Sequence, residues 1–236
     1  MKISVVIPMY NESKIIEKTA KTLSAAMSAS FDDYEIVFSD DGSTDGCGQQ
    51  VRELNLPYVR VVGYEKNRGK GCAVRTGILE TAGDIVVFTD ADLAYGTDAI
   101  SQAVQLMAAN PSYGMLIGSR NLDEQGYGHY GRLRRAMSKN YIRMLGLVGG
   151  FRLSDSQCGF KAFRREAAKP IFSRATVDGF AFDFEAILRA QKEGIAILEM
   201  PVCVINHGDS KIHVLRDSIK MLRDLWRIRR TLKKEK

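Results

Sequence analysis

The chain reads as an α/β protein with a mostly parallel sheet carrying helices on both faces. Three observations lead there. Short apolar runs rich in β-branched residues alternate with helical patterns through the first half. The spacing leaves room for one helix between successive runs, which calls for right-handed crossovers. The run Ile85 to Phe88 is continuously apolar, as a strand buried on both faces is. In order, strands are expected at Ile3 to Met9, Tyr34 to Ser39, Val59 to Tyr64, Asp84 to Thr89 and Met115 to Gly118. Helices are expected over about 13–29, 44–54, 70–82 and 97–109, the second capped by Ser43 or Thr44 with Asp45 in its first turn. From about 119 the pattern is less regular. It gives a basic helix, a polar loop Ser154 to Cys158, a helix near 163–172, another near 180–193 and a strand Ala196 to Ile205. No repeat, low-complexity tract or Pro/Gly-rich linker divides the chain.

At 236 residues, 45% hydrophobic and 26% charged, the chain has ordinary globular composition and enough length for a full core. Cys47, Cys72, Cys158 and Cys203 are far apart with no C-x-x-C pair, so they read as buried thiols, not a zinc ribbon or disulfide framework. No run approaches the roughly 18 apolar residues of a membrane span. The start Ile3 to Met9 is too short and too β-branched for a signal peptide. A reducing, soluble-side compartment is therefore expected, and Asn11-Glu12-Ser13 is discounted as a glycosylation acceptor.

The net charge of +6 is concentrated at the end: residues 211–236 hold ten basic and three acidic side chains, a net +7. Leu215, Ile219, Leu222, Leu225 and Trp226 recur there at helical spacing among Arg216, Lys220, Arg223, Arg227, Arg229, Arg230, Lys233 and Lys234, giving a basic amphipathic helix. Three roles compete for it: a helix packed on its own domain, a membrane-surface helix, and a nucleic-acid arm. The last is weakest because no recognised binding module accompanies the charge. A second basic stretch, Arg132 to Arg152, has no acid between Gln125 and Ser154 and an apolar face of Leu133, Met137, Tyr141, Leu145 and Val148. It reads either as a core-packed helix or as one facing phosphate or membrane.

Ligands of open α/β sheets bind at the carboxyl ends of the strands, and here those ends are polar. The first strand runs into Pro8-Met9-Tyr10-Asn11-Glu12, the second into Asp40-Asp41-Gly42-Ser43 and the fourth into Asp90-Ala91-Asp92. Neither G-x-G-x-x-G after the first strand nor a P-loop is present. Two aspartates one residue apart at a strand end suit Mg²⁺ or Mn²⁺, usually held by one or two carboxylates plus substrate phosphates. Such a triplet alone is a weak signal, because aspartates also cap turns. A spare carboxylate at Asp40 or Asp41 suits the N–H of a nucleobase, with Tyr10 as a stacking face. Asn67-Arg68-Gly69-Lys70-Gly71 opens a helix whose N-terminal amides suit a diphosphate.

Pro8-Met9-Tyr10-Asn11-Glu12, Ser39-Asp40-Asp41-Gly42-Ser43, Asn67-Arg68-Gly69-Lys70-Gly71, Asp90-Ala91-Asp92-Leu93, Gly118-Ser119-Arg120 and Asp155-Ser156-Gln157-Cys158-Gly159-Phe160-Lys161 together resemble the ordered motifs of family 2 glycosyltransferases of the GT-A fold. Phe182-Asp183-Phe184-Glu185 and Gly208-Asp209-Ser210-Lys211 extend the likeness over nearly the whole chain. The nearest likeness is to dolichyl-phosphate (polyprenyl-phosphate) β-glucosyltransferases, with dolichyl-phosphate mannose synthases as cousins. The resemblance implies one GT-A domain over 1–211, followed by the basic amphipathic helix 212–236. It also implies inverting transfer of a hexose from a nucleotide-diphosphate sugar, such as UDP-glucose, to a lipid phosphate at the cytoplasmic membrane face.

Carried over by position, the resemblance makes Pro8, Tyr10, Glu12, Asp40 and Asp41, with Lys70, the donor contacts. Asp90 and Asp92 become sugar and metal ligands, and Arg120, Arg134, Ser138 and Lys211 face the acceptor phosphate. Asp183 and Glu185 lie where other members are expected to carry a base. Two departures stand out. Ala94 follows Leu93 where mannose synthases commonly have a metal-binding Gln, which leans toward the glucosyl branch and leaves the metal shell short. Ile205-Asn206-His207 stands where they place an Arg before G-x-S-K. His129, His207 and His213 are not spaced as metal ligands, and Cys158 has no paired base, so it reads as packing. Two other readings remain: the same donor chemistry on a hydroxyl acceptor, and a weakly active nucleotide-sugar-binding partner protein.

Overall fold

A computed structural model describes residues 1–127, 142–205 and 214–235. In chain order the elements are β1 (Ile3–Met9), α1 (Ile16–Ser30), β2 (Tyr34–Asp40), α2 (Cys47–Glu53), β3 (Val59–Gly63), α3 (Lys70–Leu79), β4 (Ile85–Thr89), α4 (Asp98–Ala109) and β5 (Tyr113–Ser119). There follow α5, described over 142–149, then β6 (Phe160–Arg164), α6 (Arg165–Ser173), α7 (Phe182–Lys192), β7 (Ala196–Pro201) and α8 (Val214–Lys234).

The strands form one seven-stranded sheet in the order β3-β2-β1-β4-β6-β5-β7. β1 pairs parallel with β2 and β4, β2 with β3, and β5 with β7. All seven residues of β1 are buried, as expected of a central strand covered on both faces. α3 crosses β1 and β2 closely. A Cβ on Gly77 would lie 2.4 Å from the Val6 side chain, and the Ser39 hydroxyl donates to the Ala73 carbonyl at 2.7 Å. Larger side chains at Gly77 would push the helix off the sheet.

One expectation fails. The helix placed near 163–172 begins at Arg165, and the residues before it form β6, which runs antiparallel between β4 and β5. Phe160-Lys161-Ala162-Phe163 is buried on both faces, Lys161 included, so it lacks the alternation that marks a half-exposed strand. The last strand also stops at Pro201 instead of Ile205: beyond it Val202 still donates to the Ser119 carbonyl, but Val204 and Ile205 turn to the Gly126 and Ala94 carbonyls, outside the sheet.

α8 packs on α7, with Leu225, Ile228 and Leu232 buried. Its end is tied down by Glu235, which accepts from Arg189 at 3.1 and 3.2 Å. Arg189 is itself buried and also donates twice to Glu185, at 2.9 and 3.0 Å. Arg229 donates to the Val148 carbonyl, which sets α8 beside α5. The docked-helix reading of the tail therefore describes the inner face of α8. No helix among the described residues is long and apolar enough to cross a membrane.

Candidate active site

The chain builds outward from β1 through β2 to β3, then returns to place β4 on the other side of β1. That reversal opens a crevice beyond the carboxyl ends of β1 and β4. Because β6 is antiparallel to β4, its first residue, Phe160, pairs with Thr89 at the same rim. The segment before β6 is thereby brought against Asp90, and a Cβ on Gly159 would lie 2.2 Å from Asp90 Oδ2. A larger residue there would displace the Asp90 carboxylate.

Asp90 makes a 2.6 Å ion pair with Lys70, the first residue of α3. Burial opposes the charge on Lys70, but Asp90, with Asp183 and Asp92 farther off, raises its pKa above the ordinary value. Asp92 accepts the Ala94 N–H at 3.0 Å, and burial followed by repulsion from Asp90 raises its pKa. The turn holding both aspartates is fixed from two sides. Thr19 donates to the Ala91 carbonyl at 2.6 Å, and Leu93 is buried with φ 48°, a left-handed conformation costing roughly 1–3 kcal/mol that a packed surround must sustain.

Two hard carboxylates whose negative charges repel suit Mg²⁺ or Mn²⁺. Among the described residues no three His, Cys, Asp or Glu side chains converge on one point. Asp90 and Asp92 would hold such an ion with donor oxygens and water completing its shell.

Behind this pair lies a second one. Lys161 is fully buried and donates to Asp183 at 2.5 Å and to the Cys158 carbonyl at 2.6 Å. Burial raises the Asp183 pKa, and Lys161 and Lys70 oppose the rise. Sequence reasoning gave Lys161 no role; a lysine inside the apolar run Phe160 to Phe163 was the available signal. Glu185 is committed elsewhere. Its carboxylate accepts the Thr176 and Val177 N–H groups at 2.7–3.0 Å, besides the two bonds from Arg189. It is a clasp for the loop before α7.

At the β2 end the two aspartates divide. Asp41 is buried and takes four donors: the Tyr64 hydroxyl at 2.6 Å, Asn67 Nδ2 at 2.9 Å, the Arg68 N–H at 2.9 Å and the Gly69 N–H at 2.9 and 3.0 Å. Burial and then Asp41 push the Tyr64 hydroxyl pKa well up. Asp40 is half-buried and accepts the Ser43 N–H at 2.9 Å. Tyr10 is 40% exposed at the end of β1, Glu12 is half-buried, and Pro8 lies within β1 opposite Ser39.

The diphosphate cradle expected from Asn67 to Gly71 is corrected in part. The Arg68 and Gly69 amides serve Asp41, and the Cys72 N–H donates to the Asp178 carbonyl at 3.1 Å. The glycines have a packing reason: Cβ atoms on Gly69 and Gly71 would come within 2.6 Å of the Asp178 and Val177 carbonyls. What Lys70 offers at this rim is its ammonium group.

Arg120 follows β5 and donates to Asp155 through Nε at 2.6 Å and Nη2 at 2.9 Å, with its guanidinium 5.4 Å from the Tyr127 ring centre. Asp155 is fully buried and was not read as a partner for Arg120 from sequence. Cys158 is fully buried, and desolvation, followed by Asp155, pushes its pKa up to about 12, so it is no nucleophile. Arg134, Ser138, Lys211, His129, His207 and His213 lie outside the described residues.

The family model described as Glycosyl transferase family 2 matches residues 4–172. The dolichyl-phosphate beta-glucosyltransferase of Saccharomyces cerevisiae is 33% identical over 249 residues, covering 96% of this chain and 74% of that protein. The human dolichyl-phosphate beta-glucosyltransferase is 30% identical over 248 residues, covering 97% and 75%. Mannosyl-3-phosphoglycerate synthase from Rubrobacter xylanophilus has the same fold, with a TM-score of 0.68 at 21% identity over 100% of this chain and 75% of that one. So does glucosyl-3-phosphoglycerate synthase from Mycobacterium tuberculosis, solved with Mn²⁺, UDP and glucosyl-3-phosphoglycerate, with a TM-score of 0.68 at 20% identity over 98% and 79%.

Proposed function

Because the chain belongs to glycosyl transferase family 2 and is a glycosyltransferase, we propose that it moves glucose from UDP-glucose to a polyprenyl or dolichyl phosphate at the cytoplasmic face of a membrane. The observation that carries the proposal is the rim at β1 and β4. There Asp90 and Asp92 stand beside Lys70, and the parallel strands β1 and β2 end at the same edge of the sheet in Tyr10 and the half-buried Asp40. The two dolichyl-phosphate enzymes similar over nearly the whole chain supply the substrate class.

In this reading Tyr10 stacks on the base, Asp40 accepts its N–H, and Pro8 and Glu12 line the nucleoside. Asp41 holds the wall they sit on. A divalent ion at Asp90 and Asp92 would stabilise the charge gained by the departing nucleoside diphosphate. A phosphate acceptor is already mostly dianionic at neutral pH, with a second pKa near about 6, so it needs positioning and no base. That fits Asp183, whose carboxylate is engaged by buried Lys161, and Glu185, which clasps a loop. Arg120, Arg134, Ser138 and Lys211 are the candidates to position it, Arg120 held in place by Asp155.

Peripheral membrane contact belongs to the same reading. Met144 and Leu147 on α5 and Trp226 on α8 are 38%, 84% and 60% exposed, and Arg143, Arg223, Arg227 and Arg230 are exposed around them. Basic side chains near an anionic surface contribute about 1 kcal/mol each.

The test is a donor and acceptor panel. Purified protein is incubated with UDP-glucose, UDP-galactose, GDP-mannose and GDP-glucose, with dolichyl phosphate, a short polyprenyl phosphate or a free alcohol, and products are read by mass spectrometry. Hexosyl-polyprenyl phosphate from UDP-glucose is expected. Turnover only with the alcohol supports the hydroxyl-acceptor reading, and no turnover with any pair supports a binding protein.

A further inference from the structure

Lys70 sits where a site for a divalent cation would be expected to hold only carboxylates. Its ammonium is 2.6 Å from Asp90 Oδ1, the two side chains being 26% and 31% exposed. It lies 5.6 Å from the centre of the Phe88 ring, one strand position before Thr89 and Asp90. Asp92 and Asp183 also act on it electrostatically. The Lys70 charge thus already offsets part of that of Asp90 and Asp92, while Asp183 has Lys161.

A monovalent and a divalent cation on the same carboxylate repel one another strongly at the low effective dielectric of a protein crevice. The ammonium is a compact charge on a flexible stem at the first position of α3, free of the helix ladder, so it can change partner without moving the backbone. The incoming donor would bring the partner: a diphosphate is more negative than one carboxylate, and Asp90 and Asp92 would hold at this rim the ion that offsets its charge.

We propose that Lys70 is an internal counter-cation that holds Asp90 while the donor is absent and passes to the diphosphate when the donor binds, so that the metal site holds its ion more tightly with donor present. The inference rests on the reading of Asp90 and Asp92 as the metal-binding pair. Metal and nucleotide then bind with positive coupling, each raising the other's affinity by the same factor, and release of Asp90 by Lys70 adds to the coupling that the donor's own oxygens supply.

The experiment is Mn²⁺ titration followed by electron paramagnetic resonance on the full chain, with and without UDP. It compares wild type with Lys70→Met, which keeps the stem over Phe88, and with Lys70→Arg, which keeps the charge. Wild type is expected to bind Mn²⁺ at least about tenfold more tightly with UDP than without, within the usual range of coupling. Lys70→Met should bind Mn²⁺ alone about tenfold more tightly than wild type and gain less from UDP than wild type does, by about that same factor. Lys70→Arg should stay close to wild type. Mn²⁺ affinity in Lys70→Met no higher than in wild type, or Lys70→Arg behaving like Lys70→Met, overturns the proposal. An Asp92→Asn control separates the two levels. If it binds Mn²⁺ as wild type does, in both conditions, the metal-pair reading fails and takes the proposal with it.

Discussion

Replacing Asp41 with asparagine tests whether this residue builds the donor wall or reads the base. The buried carboxylate holds Tyr64, Asn67 and the N–H groups of Arg68 and Gly69, and Gly69 contacts both oxygens. Asparagine keeps one acceptor and places an amide donor where the other stood, so the Gly69 N–H retains a partner while either Asn67 or both Tyr64 and the Arg68 N–H face an N–H₂ group. Hydrogen bonds to a charged acceptor contribute about 1.5–3 kcal/mol each, and a buried donor left without an acceptor adds to the loss. At least one such bond puts the destabilisation at about 1.5–3 kcal/mol or more. For a chain of this size that lowers Tm by about 3–12 °C or more. Urea unfolding and calorimetry measure it, and UDP binding by isothermal titration should weaken together with stability. A variant as stable as wild type to within about 0.5 kcal/mol, with UDP binding lost, would refute the argument and make Asp41 a direct reader of the base.

Three further outcomes are expected. Burial works against the charge on Asp45, but the Ser13 and Cys47 N–H groups outweigh it and hold the pKa at about 2 instead of 3.8. A folded-state value below the unfolded one gives stability that is complete above about pH 4 to 5 and lost as pH falls toward 2. The gap in unfolding midpoint between wild type and Asp45→Asn should therefore be open at pH 6 and much narrower at pH 2, and an unchanged gap contradicts the assignment. With Cys47, Cys72 and Cys158 buried and Cys203 half-buried, native alkylation at pH 8 should mark Cys203 first; rapid labelling of Cys158 would be inconsistent with its raised pKa and burial. Gly159→Ala places a methyl against Asp90 and should lower turnover about a hundredfold or more in a folded protein, since misplacing a reacting geometry by about 1 Å can have that effect; wild-type kinetics would show that Asp90 tolerates displacement.

Sequence legibility followed from how local each signal is. β1, β2 and β4 could be read because each is a buried apolar run closed by polar residues, and the same contrast exposed Asp40, Asp41, Asp90 and Asp92 as rim residues. β6 was missed because its pattern has no surface face and merges into α6, and its place between β4 and β5 is fixed only by tertiary pairing. The pairs Lys161–Asp183 and Arg120–Asp155 join residues 22 and 35 apart, a separation no periodicity encodes. The glycines of Gly69-Lys70-Gly71 pointed to a phosphate loop, whereas their spacing answers the close approach of Val177 and Asp178. The amphipathic tail was legible as a helix, and its docked face became distinguishable only through Leu225, Ile228 and the Glu235–Arg189 pair.

The central claim is single-step transfer of glucose to a lipid phosphate, and the product's linkage tests it most directly. Wild-type protein is given UDP-glucose with dolichyl phosphate in mixed vesicles, and the purified lipid is examined by phosphorus and proton nuclear magnetic resonance. The account predicts a glycosyl phosphodiester with the β-anomeric configuration, opposite to that of the α-linked donor. An α-anomer, or glucose attached through a hydroxyl with the phosphate still a monoester, would contradict it.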